Sequence, residues 1–213
     1  MQKRMNAILD LIDEIKPVTI TEVGVWNGDR ALEMVERALQ HQPKVHYVGY
    51  DLFEEATPET NQDELNAKRN FTSIEVGKKL AAAAVRARGF SFELIQGNTR
   101  ATLRTGSPGT NADLAFIDGG HSVETIRSDY EALKGCRTIV FDDYYLPRSV
   151  PGKPDGGVTK AWLDRFGANR IVDAIPDALV LPSTDLLTMG AQGYVHLAVV
   201  RVRSAAVAES AAA

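Results

Sequence analysis

A chain of 213 residues, 44% apolar and 24% charged, is made up like one globular domain with a sizeable core, which excludes a disordered or fibrous segment. A formal net charge of -4, with no block of like charge in either half, argues against a nucleic-acid partner and for small substrates. Cys136 is the single cysteine, which excludes an internal disulfide and a thiolate metal site and fits a reducing cytoplasm.

The opening MQKRMNAILDLIDEIK is charged within its apolar stretch and lacks a small-residue cleavage site, so it reads as helix and not as a secretory signal. Met5, Ile8, Leu9, Ile12 and Ile15 predict an amphipathic helix over 2–15, stopped by Pro17. VTITEVGV (18–25) is a buried strand, 29–40 a helix with Ala31, Val35, Ala38 and Leu39 on one face, and KVHYVGYD (44–51) a second strand. Strand, glycine-bearing turn, helix, strand is a βαβ unit. The polar, acidic stretch from Leu52 to about Asn70 carries a helix near 61–69, and Ile74 to Arg88 is a helix ended by Gly89. FSFELIQG (90–97) and, after the turn-rich 105–111, ADLAFID (112–118) are strands three and four. A helix over 122–134 buries Val123, Ile126, Tyr130 and Leu133, and CRTIVFD (136–142) is a fifth strand ending in an acid.

A proline- and glycine-rich loop leads to a helix over Val158 to Phe166, followed by RIVDAIP (170–176), ALVLP (178–182) and YVHLAVVRV (194–202). No helical crossover fits between the final strands, so at least one runs antiparallel. No apolar run approaches the roughly 20 residues that span a bilayer, so no membrane partner is expected. The expectation is one Rossmann-like α/β domain over 1–204, doubly wound and mostly parallel with an antiparallel C-terminal strand, then a disordered tail over 205–213. The oligomeric state is left open, a homo-oligomer included.

Ligands of open parallel sheets bind outside the carboxyl ends of the strands, at the switch point. There the first strand runs into Glu22-Val-Gly24-Val-Trp-Asn-Gly28, where Gly24 brings backbone near a ligand and Gly28 opens the next helix. Asp51 ends the second strand, placed to accept hydrogen bonds from ribose hydroxyls. The turn lacks the G-x-G opening that cradles a pyrophosphate, which favours a ligand without phosphates. Asp118 ends the fourth strand in IDGGH, and Asp142 and Asp143 end the fifth in FDDYY. Three carboxylates at one shared edge suit a hard divalent ion, Mg2+ first and Mn2+ or Ca2+ next, or else serve as helix and turn caps. His121 follows the Gly-Gly turn beside them and is suited to take a proton near neutral pH, while His41, His46 and His196 read as structural.

The runs EVGVWNG, YVGYD, LIQGNT, DLAFIDGGHSVETIRSDYEAL, IVFDDYY and GVTKAW resemble class I S-adenosylmethionine methyltransferases. Within them the chain is similar to the bacterial macrocin-type and sugar O-methyltransferases, and more distantly to catechol O-methyltransferases. The resemblance implies that Glu22, Gly24 and Gly28 line the methionine end of the cofactor, that Asp51 holds its ribose, and that Gly97 and Asn98 lie near its adenine. Many relatives carry an aspartate where Asn98 stands. It further implies Asp118, Asp142 and Asp143 as metal ligands, with Asp118 also near the cofactor, and His121 or Asp118 as the base. The expected reaction is metal-assisted methyl transfer to a hydroxyl of a small sugar or phenol. The alternatives are an NAD-dependent oxidoreductase and a nucleoside-binding module without catalysis.

Overall fold

The computed structural model describes residues 3–66, 70–147, 158–187 and 193–202. Helix α1 (Arg4–Ile15) ends at Ile15 as expected, where Lys16 turns left-handed at φ 50° and its N–H returns to the Ile12 carbonyl. Next come β1 (Thr19–Val23), α2 (Asp29–Leu39) and β2 (Val45–Asp51), the expected βαβ unit. They are followed by α3 (Pro58–Asp63), α4 (Ser73–Arg86), β3 (Phe90–Gln96) and the single turn α5 (Thr99–Thr102). The chain continues through β4 (Leu114–Ile117), α6 (Val123–Leu133), β5 (Thr138–Pro147), α7 (Lys160–Leu163) and α8 (Asn169–Val172). It closes with β6 (Leu179–Leu181), β7 (Leu186–Leu187) and β8 (Gly193–Arg201).

One sheet holds the order β3-β2-β1-β4-β5-β8-β6, with β7 paired to β8. The first five are parallel, and β8 runs antiparallel to β5, β6 and β7, so the reversed C-terminal strand is as expected. The period-2 alternation of strand side chains splits the core into two layers. Ile20, Tyr47, Leu114 and Phe116 face α1, α2 and α4, while Val23, Val48, Ala115 and Ile117 face α6 and α8. The chain order reverses between β1 and β4, which sets the switch point there.

Three expectations are corrected. The helix near 61–69 starts earlier, because Thr57 and Thr60 form a capping box and Pro58 occupies its first turn; residues 67–69 lie outside the described residues. The fifth strand does not end at the acids. It loses β4 after Phe141 but stays paired with β8 to Pro147 across a bulge, where Asp143 takes φ 60°. The helix over 158–166 shrinks to α7: Thr159 caps it at the start, and Phe166 beyond its end is drawn into a bridge with Ser122. The expected tail and residues 148–157 of the loop lie outside the described residues.

Candidate active site

Three strand ends are laced together at the switch point. The Gly24 N–H donates to the Tyr50 carbonyl, and the Asp118 N–H to the Val23 carbonyl, both at 2.8 Å. Gly24 has φ 90°, and a Cβ there would stand 2.0 Å from the Asp118 carbonyl oxygen. The close approach expected of Gly24 is therefore made first to the neighbouring strand's backbone. Gly28 precedes α2 as its cap at φ 74°. The Asp51 carboxylate accepts from the Trp26 and Phe53 N–H groups at 2.8 Å each, which fixes it beside the glycine turn.

A cleft of about 480 Å³ opens over these ends, lined by Gly24, Asp51, Gly97, Asn98, Asp118 and His121 among others. Asn98 caps α5 through the Arg100 N–H at 3.0 Å, and Gly97 before it has φ 124°. Glu22, Gly28, Asp142 and Asp143 do not line the cleft.

Glu22 is fully buried, accepting from the Tyr47 hydroxyl at 2.5 Å through one oxygen while the other has no hydrogen-bond partner. Burial pushes its carboxyl up from 4.5 to about 7, against the pull of Arg30 and Tyr47. The folded state thus binds this proton more tightly than the unfolded chain. Stability from this group is full below about pH 4.5 and is lost as pH rises through about 7, a difference of roughly 3 kcal/mol. Glu22→Gln is expected to flatten that fall, stabilising the protein at about pH 8 and doing little near about pH 5. Urea melts of both proteins check it; an equal gain at both pH values would refute the assignment.

The acid cluster holds two guanidiniums. Arg30 pairs with Asp118 and stands 3.9 Å from Asp142, and it lies over the Phe116 ring at 5.2 Å. Arg4 pairs with Asp142 and stands 3.9 Å from Asp143. The structure thus brings Asp118, Asp142 and Asp143 into one network, but through arginines. Among the described residues no three His, Cys, Asp or Glu side chains gather to hold a metal ion. The expected metal site therefore does not fit the arrangement: each of the three carboxylates already faces an arginine of the chain itself.

His121 closes the network. Its Nδ1 donates to the Glu64 carbonyl at 2.7 Å, since a carbonyl only accepts, and its Nε2 lies 3.1 Å from Asp143. The Glu64 carboxylate in turn accepts from the Ser122 N–H and from the Ser122 and Thr125 hydroxyls. Burial holds the Asp143 carboxyl above its usual range, and Asp142 adds to this, while His121, the Tyr145 hydroxyl and Arg4 oppose it. His121 thus stands on the cleft wall with the Asp143 carboxyl behind its Nε2. Of the other histidines, His196 is buried and accepts from the Ser183 N–H at 2.8 Å, a structural role.

Sequence reasoning did not find Arg4, Arg30 or Glu64. The one local sign was that both arginines sit in the first turn of a helix, where the dipole disfavours a cation.

The doubly wound sheet, its reversed last strand and the cleft at the switch point define an α/β protein whose open cleft lies at the strand ends, where ligands of such sheets bind. The chain belongs to the methyltransferase domain family, whose model matches residues 21–144. No curated protein matches it by sequence. Among solved structures it is similar to the O-methyltransferase TomG from Streptomyces achromogenes, involved in tomaymycin synthesis and solved with SAM. That match has 18% identity and a TM-score of 0.55, covering 93% of this chain and 79% of that one. Cofactor-bound Rv0187 from MTB matches at 20% identity and TM-score 0.54, over 93% and 80% of the two chains. An O-methyltransferase from Bacillus cereus in complex with SAH matches at 13% and 0.52, over 92% and 80%. These likenesses show the fold. No helix among the described residues is long and apolar enough to cross a membrane.

Proposed function

We propose that this methyltransferase moves the methyl group of S-adenosylmethionine to a hydroxyl oxygen of a small sugar or phenol, with His121 and Asp143 receiving the hydroxyl proton. The observation that carries the reading is the His121–Asp143 pair, 3.1 Å apart, with His121 on the wall of the cleft that Gly24, Asp51 and Asn98 also line.

When bound, S-adenosylmethionine supplies a methyl group made electrophilic by its sulfonium sulfur. The cleft suits such a group: Asp51 is fixed at its rim to accept from ribose hydroxyls, and Gly97 and Asn98 offer a shallow wall for a purine. With it bound, an acceptor oxygen would take the methyl group as S-adenosylhomocysteine leaves, and the His121–Asp143 pair would receive the hydroxyl proton. Base assistance of this kind contributes about 10²–10⁴ in rate, and fixed alignment much of the rest. Arginines occupy the acids that the expected metal would have used, so no metal takes part in this step.

The IDGGH and FDDY runs support placing the chain in the macrocin-type, sugar O-methyltransferase branch. The acidic balance supports a small-molecule partner over nucleic acid, and buried Cys136 supports a cytoplasmic location. Structural neighbours named as O-methyltransferases, one with SAM and one with SAH, support oxygen as the acceptor atom.

Thermal melts with S-adenosylhomocysteine and with NAD test the reading. At 100 times its Kd, S-adenosylhomocysteine is expected to stabilise the protein by about 2.7 kcal/mol, and NAD not at all. Stabilisation by NAD alone would make the protein an oxidoreductase. S-adenosylhomocysteine binding with no transfer to any hydroxyl in an acceptor library would make it a nucleoside-binding module.

A further inference from the structure

We propose that Arg4 and Arg30 take, in this acid cluster, the place that a divalent ion would otherwise hold, so that the protein does not bind Mg2+, Mn2+ or Ca2+ through Asp118, Asp142 and Asp143. Three carboxylates on adjoining strand ends repel one another and need compensating positive charge. The chain supplies that charge itself. Arg30 spans Asp118 and Asp142 from α2, and Arg4 spans Asp142 and Asp143 from α1.

Both guanidiniums are held, not merely nearby. Arg30 rests on the Phe116 ring of β4. Arg4 is gripped by Asp185, which accepts from its backbone N–H at 2.9 Å and from its Nε at 3.2 Å. Asp185 thereby caps α1, whose own preceding residue Lys3 makes no side-chain cap, and the Asp185 N–H donates in turn to the Ser183 hydroxyl. Each arginine stands in the first turn of its helix, against the dipole. The acids, not local helix preference, account for that placement. An ion entering here would have to expel two anchored cations while keeping the geometry of its carboxylate ligands.

The inference concerns the same site as the proposed methyl transfer, but its test needs no turnover. Mn2+ is titrated into the full chain and free ion is followed by its paramagnetic resonance signal. Wild-type protein is expected to bind no Mn2+ tighter than about 1 mM. The Arg4→Met/Arg30→Met protein is expected to gain affinity by about 10-fold or more, and Arg4→Lys/Arg30→Lys, which keeps both charges, to stay silent. Should the methionine variant fail to fold, the wild-type measurement decides alone. Tighter wild-type binding that Asp142→Asn/Asp143→Asn abolishes would overturn the inference. A folded methionine variant that binds no Mn2+ would overturn it too, since the arginines would not then be what keeps the ion out. Where an acceptor is found, transfer is expected to be unchanged by EDTA. Absence of any transfer would count against the proposed reaction and leave the Mn2+ result standing.

Discussion

Replacing His121 with alanine is expected to lower kcat by about 10²–10⁴-fold while affinity for S-adenosylhomocysteine stays near wild type. The imidazole is fixed from both sides. Nδ1–H donates to the Glu64 carbonyl, so Nε2 is the atom left to exchange a proton, and it faces the buried Asp143. Without the ring, an acceptor hydroxyl meets no base at that wall of the cleft, and Asp143 loses the partner that opposes its protonation. Asp143→Asn keeps the shape but cannot take a proton, so its loss should fall in the same range. Single-turnover rates beside calorimetric binding of S-adenosylhomocysteine separate the two effects. A variant with full kcat would remove His121 from the chemistry. One that lost rate and binding together would make it a structural pillar under the 64–66 segment.

The expected effect rests on contacts of very different sequence range, and that range explains what was readable. Strands such as 90–97 and helices such as 29–40 announce themselves because their periodicity is local, and β3 and α2 follow it closely. The glycine turn and Asp51 were legible for the same reason: a strand followed by its turn is one short stretch. The acids of the fourth and fifth strands were also visible, since the parallel register of β4 and β5 brings Ile117 opposite Phe141. What lies between those acids was not. Arg4 reaches Asp142 across 138 positions and Asp185 across 181, and no local pattern marks such a pairing. The run of β5 through its acids was hidden too, because β8 rather than β5's own sequence keeps that strand paired beyond Phe141. Short elements such as α5 and α8 have too few residues to show a period.

The glycine turn gives the second large effect, and it comes with an internal control. Gly24 and Gly106 share a φ of 90°, so alanine at either position meets a left-handed backbone penalty of about 1–3 kcal/mol. Their surroundings differ. A Cβ at Gly106 has nothing within 4 Å, whereas at Gly24 it would lie 2.0 Å from the Asp118 carbonyl oxygen and 2.7 Å from the Gly119 Cα. Those atoms are backbone and cannot swing aside, so Gly24→Ala adds an overpacking cost of about 1–3 kcal/mol or more. Gly24→Ala is therefore expected to lower Tm by on the order of 10 °C, about twice the loss from Gly106→Ala. The displacement would also push the end of β4 away from β1, moving Asp118 relative to Asp51 across the cleft they both line. Affinity for S-adenosylhomocysteine should then fall in Gly24→Ala and hold in Gly106→Ala. Equal Tm losses in the two variants would mean that the strand ends at the switch point stand further apart than this packing requires, and the cleft would lose the floor on which the methyl-transfer reading depends.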